Sequence, residues 1–313
     1  MMEDLLLAAK VVLPLFVYMA AGGFIRKKAI FSLENFKSLN HMVFYVFMPL
    51  TLFFNVYEAD LGNVVKPGIF VFIFISIILL FAAAWIVITH TVKDQADSAT
   101  MIQGAYRSNY VLLGNVIAGS LCGKEGLALV AALAVMVVPM FNILAVILFE
   151  VKRDNNVDFL RIIRNVFKNP LVCAGIFGGL FKLFHIPVPD LLQQPLATLG
   201  DAATPLALVT LGGILSMRSI VRHGKYLIAV TAVRLIAAPA VALTAAAALG
   251  YRGDSLVAVL AVFASPAAVS STPMAQSMGG NGELAGEIVA VTSVCCMVTI
   301  FLFVFFLSGM SFI

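Results

Sequence analysis

The chain has 313 residues, 62% of them hydrophobic and 12% charged, with a formal net charge of +4 and a mean hydropathy of +1.04. This composition excludes a disordered or nucleic-acid-binding chain and argues against a soluble globular enzyme. The opening Met1-Met2-Glu3-Asp4 is acidic, so the first apolar run is expected to stay as an anchor and not to be cleaved as a signal.

A helix needs about 20 apolar residues to cross a bilayer. The apolar runs predict an all-α integral membrane protein with ten transmembrane helices, at 5–25, 38–57, 67–92, 100–121, 127–149, 169–186, 195–217, 225–250, 256–278 and 284–308. Spans four and nine are the least hydropathic, being rich in Gly, Ser, Asn and Pro. Cys173, Cys295 and Cys296 lie in apolar runs and Cys122 stands alone, so no disulfide framework is expected.

Basic residues set the expected direction. Arg26, Lys27, Lys28 and Lys37 follow span one. Lys93 and Arg107 are assigned to the loop after span three, Lys152, Arg153, Arg161, Arg164 and Lys168 to that after span five, and Arg218, Arg222 and Lys225 to that after span seven. The opposite side holds Lys66, Lys124, Lys182 and Arg252. Both termini are therefore expected outside a cytoplasmic (plasma) membrane. In Lys152–Lys168, apolar Phe159, Leu160, Ile163, Val166 and Phe167 alternate with basic residues, which fits a helix lying on the inner surface.

The two halves repeat. Pro14-Leu15 and Gly22-Gly23 recur as Pro170-Leu171 and Gly178-Gly179, and Pro49-Leu50-x-Leu52 recurs as Pro205-Leu206-x-Leu208, all at an offset of 156. Later the offset slips by one, so that Gly123 matches Gly280 and Ser120 matches Ser277. Only 12 prolines occur in the chain, so two proline pairs at one offset carry weight. Five spans per half is an odd number, which predicts two inverted units, 1–156 and 157–313.

Span four contains Asn109, Gly114 and Asn115. Span nine contains Pro266, Ser270, Ser271, Thr272, Pro273 and Gln276. Proline and glycine weaken a helix, and freed backbone groups in lipid are tolerated only against protein or a water-filled cavity. Both spans are expected to be broken and to face the interior, where half-helix N-termini suit a carboxylate and unwound carbonyls suit a cation. The competing reading is that these small residues only allow close helix packing.

Stretches along the whole chain carry a resemblance. They are Phe16 to Lys28 with Gly22-Gly23, Leu39-Asn40-His41-Met42-Val43-Phe44-Tyr45 with Pro49-Leu50-Thr51-Leu52-Phe53, Ser108-Asn109 with Gly114, and Ser265-Pro266 with Ala275-Gln276. The sequence resembles bacterial members of the auxin efflux carrier family, whose fold is related to bile acid/sodium symporters. The resemblance implies spans four and nine crossing at the substrate site, a scaffold of helices 1, 2, 6 and 7 that forms a homodimer, and a moving part that works as an elevator. The implied substrates are small organic anions, indole-acetate in plants and malonate- or malate-like acids in bacteria. Where the family often has a proline after the glycine of span four, this chain has Val116, so the first break is expected at Gly114 and Asn115 alone. The long cytoplasmic loop of large plant members is absent.

Arg234 lies about ten residues into span eight, roughly 15 Å along a helix. It is expected either to draw in the anion or to hold a structural partner. Asp201 is either a proton-titrating group or a helix cap before Pro205. Lys10 is expected to snorkel, and Glu283 and Glu287 suit a helix start. His41, His90, His185 and His223 show no metal spacing. Gly280-x-Gly282-x-x-Ala285 follows a membrane helix and not a strand, so no dinucleotide site is expected. No nucleophile-and-base motif suggests an enzyme.

The expected function is a secondary carrier. Asn109, Asn115, Ser270, Ser271 and Thr272 would contact the substrate, Gly114, Pro266, Pro273 and Gln276 would shape the breaks, and Arg234 would attract the anion. No cofactor or metal is expected. H+ or Na+ is the possible coupling ion, with Asp201 its candidate site. The alternative is a membrane-embedded receptor or scaffold that binds without transporting.

Overall fold

The computed structural model describes residues 2–58, 66–153 and 159–313. Among them it is all helical, with a single isolated β-bridge and no strand. The helices are α1 Met2–Lys27, α2 Leu33–Tyr57, α3 Pro67–Thr91, α4 Gln95–Tyr106, α5 Tyr110–Leu121, α6 Gly123–Arg153 and α7 Phe159–Lys168. The second half holds α8 Pro170–Leu183, α9 Asp190–Ile214 with a turn at Ala202, α10 Met217–Arg222, α11 Gly224–Ala248, α12 Asp254–Ala264, α13 Ser271–Ser277 and α14 Gly282–Gly309. Among the described residues six stretches, in α2, α3, α6, α9, α11 and α14, are long and apolar enough to cross a membrane. Exposed Val71, Phe74, Ile75, Leu79, Ile86 and Val87 on α3 present the greasy surface that lipid covers in a multi-pass membrane protein.

Caps written in the sequence set several helix starts. Asp94 accepts from the Asp97 N–H at 2.8 Å, Asn169 from the Leu171 N–H at 3.0 Å and Asn281 from the Leu284 N–H at 3.0 Å. Pro67 and Pro170 take first-turn positions, where a missing N–H costs nothing. Pro49 and Pro239 instead sit inside long helices. Each follows a π-helical turn, Val43–Phe47 and Val233–Ala237, which widens the ladder where the ring would clash with the carbonyl four residues back. Asp201 closes the first segment of α9 and does not cap a helix start before Pro205, because the helix resumes immediately at Ala203.

Several helix pairs approach backbone to backbone. A Cβ on Gly22 of α1 would overlap the Val209 carbonyl of α9, and one on Gly178 of α8 would lie 2.6 Å from the Phe53 carbonyl of α2. Glycine is what permits this approach.

The breaks after α4 and α12 pose a harder problem. Each helix ends inside the protein, where its last carbonyls have no helical donor and no water. Arg234 of α11, with no exposed surface, answers both ends. Its Nε donates to the Ser265 carbonyl at 3.0 Å, Nη1 to Ala105 at 3.3 Å and Tyr106 at 2.9 Å, and Nη2 to Val262 at 2.8 Å and Phe263 at 2.7 Å. All five guanidinium N–H donors are occupied. The cation also sits at the negative ends of two helix dipoles.

Arg234→Leu would strand these buried carbonyls at about 1–3 kcal/mol each. It is expected to give no monodisperse protein on gel filtration, while Arg234→Lys gives folded protein that melts at a lower temperature; wild-type melting of the leucine variant would contradict the role. Gly22→Val is expected to melt well below Gly23→Ala, whose added Cβ would meet the Gly212 carbonyl only at 3.6 Å.

Candidate functional site

The two breaks run antiparallel against each other. The Asn109 N–H donates to the Pro266 carbonyl at 2.7 Å, the Ala268 N–H donates to the Arg107 carbonyl at 3.2 Å, and Ser108 pairs with Ala267. The Ala267 N–H donates to Thr292 Oγ1 of α14 at 3.1 Å. Extended chain can lie in this interior because each break supplies the other's partners.

The causes of the two breaks differ. Pro266 forces Ser265 into extended geometry (φ −65°, ψ 147°) and ends α12. The first break contains neither proline nor glycine. Arg107 leaves the helix at φ −86°, ψ 110°, and tertiary contacts hold it there, namely Arg234 on the α4 carbonyls and the crossing strand on its own carbonyl. The first break therefore lies at Arg107–Asn109 and not at the expected Gly114 and Asn115, both of which lie within α5. Gly114 packs against Tyr110 and Ala261, and the Asn115 side chain lies outside the described residues.

A cavity of about 640 Å³ opens beside the crossing. Arg107, Ser108, Asn109 and Ser270 line it from the breaks, Thr51 and Asn55 from α2, Asn142 from α6, and Asp201 and Thr204 from α9. Leu15, Leu52, Phe141 and Leu171 supply apolar wall. A mostly apolar chamber with a few converging polar groups is the usual form of a small-molecule site.

Arg107 is its most unusual member. It is 3% exposed. Its Nη2 donates to Asn142 Oδ1 at 2.8 Å and to Ser270 Oγ at 2.9 Å, and its Nη1 lies 2.7 Å from Met274 Sδ. These partners are neutral, and among the described residues no carboxylate pairs with it. Next to it, Asn109 Nδ2 and Ser108 Oγ are buried without a hydrogen-bond partner. Asn109 also stands at the N-terminus of α5 without capping it. A full positive charge, an unused amide donor and a helix start thus converge on one chamber.

Of the residues singled out in the sequence, Asn109, Ser270 and Asp201 line this cavity. Ser271, Thr272 and Pro273 are buried in the first turn of α13, away from its lining. Pro266 contributes its carbonyl to the crossing. Gln276 accepts from Asn40 Nδ2 at 2.8 Å and donates to the Lys37 carbonyl at 3.0 Å, so it ties α13 to α2. Arg234 does not line the cavity, and its donors are filled by carbonyls. Arg107, Thr51, Asn55, Asn142 and Thr204 were not foreseen. For Arg107 a signal existed: it lies inside the interval 100–121, so assigning it to a loop conflicted with the span itself. The helix α7 falls within the stretch read as surface-lying, with Ile163 and Phe167 exposed; residues 154–158 are outside the described ones, as is the Lys10 side chain.

Comparison with known proteins places these features in context. A family profile described as "Membrane transport protein" matches residues 7–304. An uncharacterized transporter of Methanothermobacter thermautotrophicus is 22% identical over 299 residues, covering 94% of this chain and 96% of the relative. An uncharacterized transporter of Methanocaldococcus jannaschii is 26% identical over 257 residues, 78% and 80% of the two chains. Auxin efflux carrier component 3 of Arabidopsis thaliana is 30% identical over 99 residues, which is 30% of this chain and 16% of the plant protein. The chain belongs to the membrane transport protein family that includes the auxin efflux carriers, a family of transporters and not of enzymes.

Proposed function

We propose that this protein is a secondary carrier of small organic anions, dicarboxylates such as malonate and malate or auxin-like carboxylates, with its site in the cavity beside the crossing breaks. The observation that carries this reading is Arg107, a buried guanidinium whose partners are neutral, beside the unused Asn109 Nδ2. A buried cation without a counter-charge is costly. A substrate carboxylate would complete it, and at about 4 Å and an effective dielectric of about 20 that attraction is about 4 kcal/mol. Asn109 and the α5 N-terminus would orient the acid, and Thr51, Asn55 and Thr204 would meet its far end. Asp201, exposed at the cavity, is where a co-transported Na+ would balance a second acid group.

The architecture in this reading is ten crossings in two inverted five-helix units, 1–156 and 157–313, with both termini outside the plasma membrane. One packing detail supports the repeat. Gly22 lies against the Val209 carbonyl and Gly178 against the Phe53 carbonyl. The two contacts exchange under a single shift of 156, since 22 becomes 178 and 53 becomes 209. The π turn of α2 maps by the same shift onto 199–203, around the turn at Ala202. Alternating access would follow by elevator motion of the broken helices and their neighbours against a scaffold of α1, α2, α8 and α9, which would also form a homodimer.

Labelled malonate, malate and indole-acetate are expected to enter proteoliposomes above protein-free vesicles. Arg107→Gln is expected to lower kcat/KM about 100-fold, the size of losing about 3 kcal/mol of charge-assisted hydrogen bonding, with gel filtration unchanged. If no acid in a broad panel moves, the carrier reading fails, and binding without movement would favour a receptor. If Arg107→Gln carries substrate like the wild type, the cavity is not the site.

A further inference from the structure

Away from the cavity, two titratable side chains meet in the interior. Glu287, in the second turn of α14, has no exposed surface. Its Oε2 lies 2.7 Å from Nδ1 of His223, which joins α10 to α11. Its other oxygen, Oε1, is buried with no hydrogen-bond partner. Ser219 Oγ lies 3.5 Å from the same His223 nitrogen. The imidazole keeps 9% of its side chain exposed and is the pair's route to water.

Other charged groups stand near this end of the helices. Arg222 pairs with Glu283 at 3.5 Å, both exposed. Asp97 of α4 accepts from Asn281 Nδ2 at 2.8 Å, and Asp94 caps α4. Arg218 and Lys225 complete the charged residues of α10 and the start of α11. Among the described residues none of them pairs with Glu287, which leaves His223 as its one ionisable partner.

We propose that His223 and Glu287 form a proton-binding site, distinct from the substrate cavity, through which carriage is coupled to a proton gradient; this rests on the carrier reading above. With one proton on the pair, His223 Nδ1–H donates to the Glu287 carboxylate and the pair carries one negative charge. That state is unfavourable in a dry interior because Oε1 has no donor. A second proton, delivered by hydronium to His223 Nε2, makes an imidazolium–carboxylate pair of zero net charge. Release returns the proton to water by the same route. The two protonations belong to the pair and not to either residue.

The same helix joins this site to the breaks. Ile288, next to Glu287, fills the space against Gly104, three residues before Arg107. Thr292, five residues on and about 7.5 Å along the helix, holds the Ala267 N–H at the crossing. A small shift of α14 when the pair gains or loses charge therefore acts on both breaks.

The test uses proteoliposomes with labelled acid and an internal pH dye. The wild type is expected to accumulate substrate down an imposed proton gradient and to take up protons with it. Glu287→Gln and His223→Gln are expected to keep substrate exchange without a gradient within about twofold of wild type and to lose gradient-driven accumulation. Undiminished accumulation in Glu287→Gln, or a wild type that exchanges substrate but ignores the gradient, overturns the proposal. An infrared difference spectrum of purified protein between acid and alkaline pH reads proton binding without any substrate. A band assigned to the pair should appear in the wild type and vanish in Glu287→Gln; its absence from the wild type overturns the proposal even if no acid in the panel is carried.

Discussion

The fold depends on one arrangement, a single guanidinium that takes five backbone carbonyls from two interrupted helices. Backbone groups in an apolar interior must be satisfied within the protein. A helix that ends there exposes carbonyls that have no backbone partner within the helix. Arg234 stands across both ends at once, so the ends of α4 and α12 are fixed relative to α11 and to each other. With those ends fixed, the two short connections have no space except alongside one another, and the antiparallel bridge between Ser108 and Ala267 follows.

Two buried arginines therefore have opposite kinds of partner a short distance apart in the fold. Arg234 has each donor on a carbonyl oxygen at a helix C-terminus, where partial negative charge offsets its own. Arg107 rests on an amide oxygen, a hydroxyl and a thioether. Those partners orient the guanidinium without neutralising it. Its charge is thus available to the chamber it lines, and the position of the Arg107 side chain depends on the break that Arg234 maintains. Loss of Arg234 would remove the charged wall of the chamber as well as the fold.

Much of the helical layout was legible in the sequence because apolar run length is a strong signal. The run 284–308 and the helix Gly282–Gly309 nearly coincide, as do 67–92 and Pro67–Thr91. The break after α12 was legible too, since Pro266 announces it by local chemistry. The break after α4 was not, because its cause is tertiary: nothing in Arg107-Ser108-Asn109 forbids a helix, and Gly114, which weakens one, is carried inside α5, where it packs against Ala261 of α12. The choice between the two readings of Arg234, anion attraction or a structural partner, was not legible for the same reason. Depth along a span can be counted from sequence, but the partners of a buried cation cannot. Thr51, Asn55, Asn142 and Thr204 join the chamber from helices distant in sequence, and no local pattern marks them.

The unequal origin of the two breaks bears on how the site can work. The second is set by proline, whose effect on Ser265 is local. The first exists only while Arg234 and the crossing strand hold it, so its geometry is tied to the relative positions of α4, α11 and α12. Arg107 sits on that first break. Whatever moves α14, which touches Gly104 through Ile288 and Ala267 through Thr292, moves the charged wall of the chamber against a proline-fixed opposite wall. The charged wall of the chamber is then the one that depends on tertiary contacts, and the proline-fixed break is the one that does not.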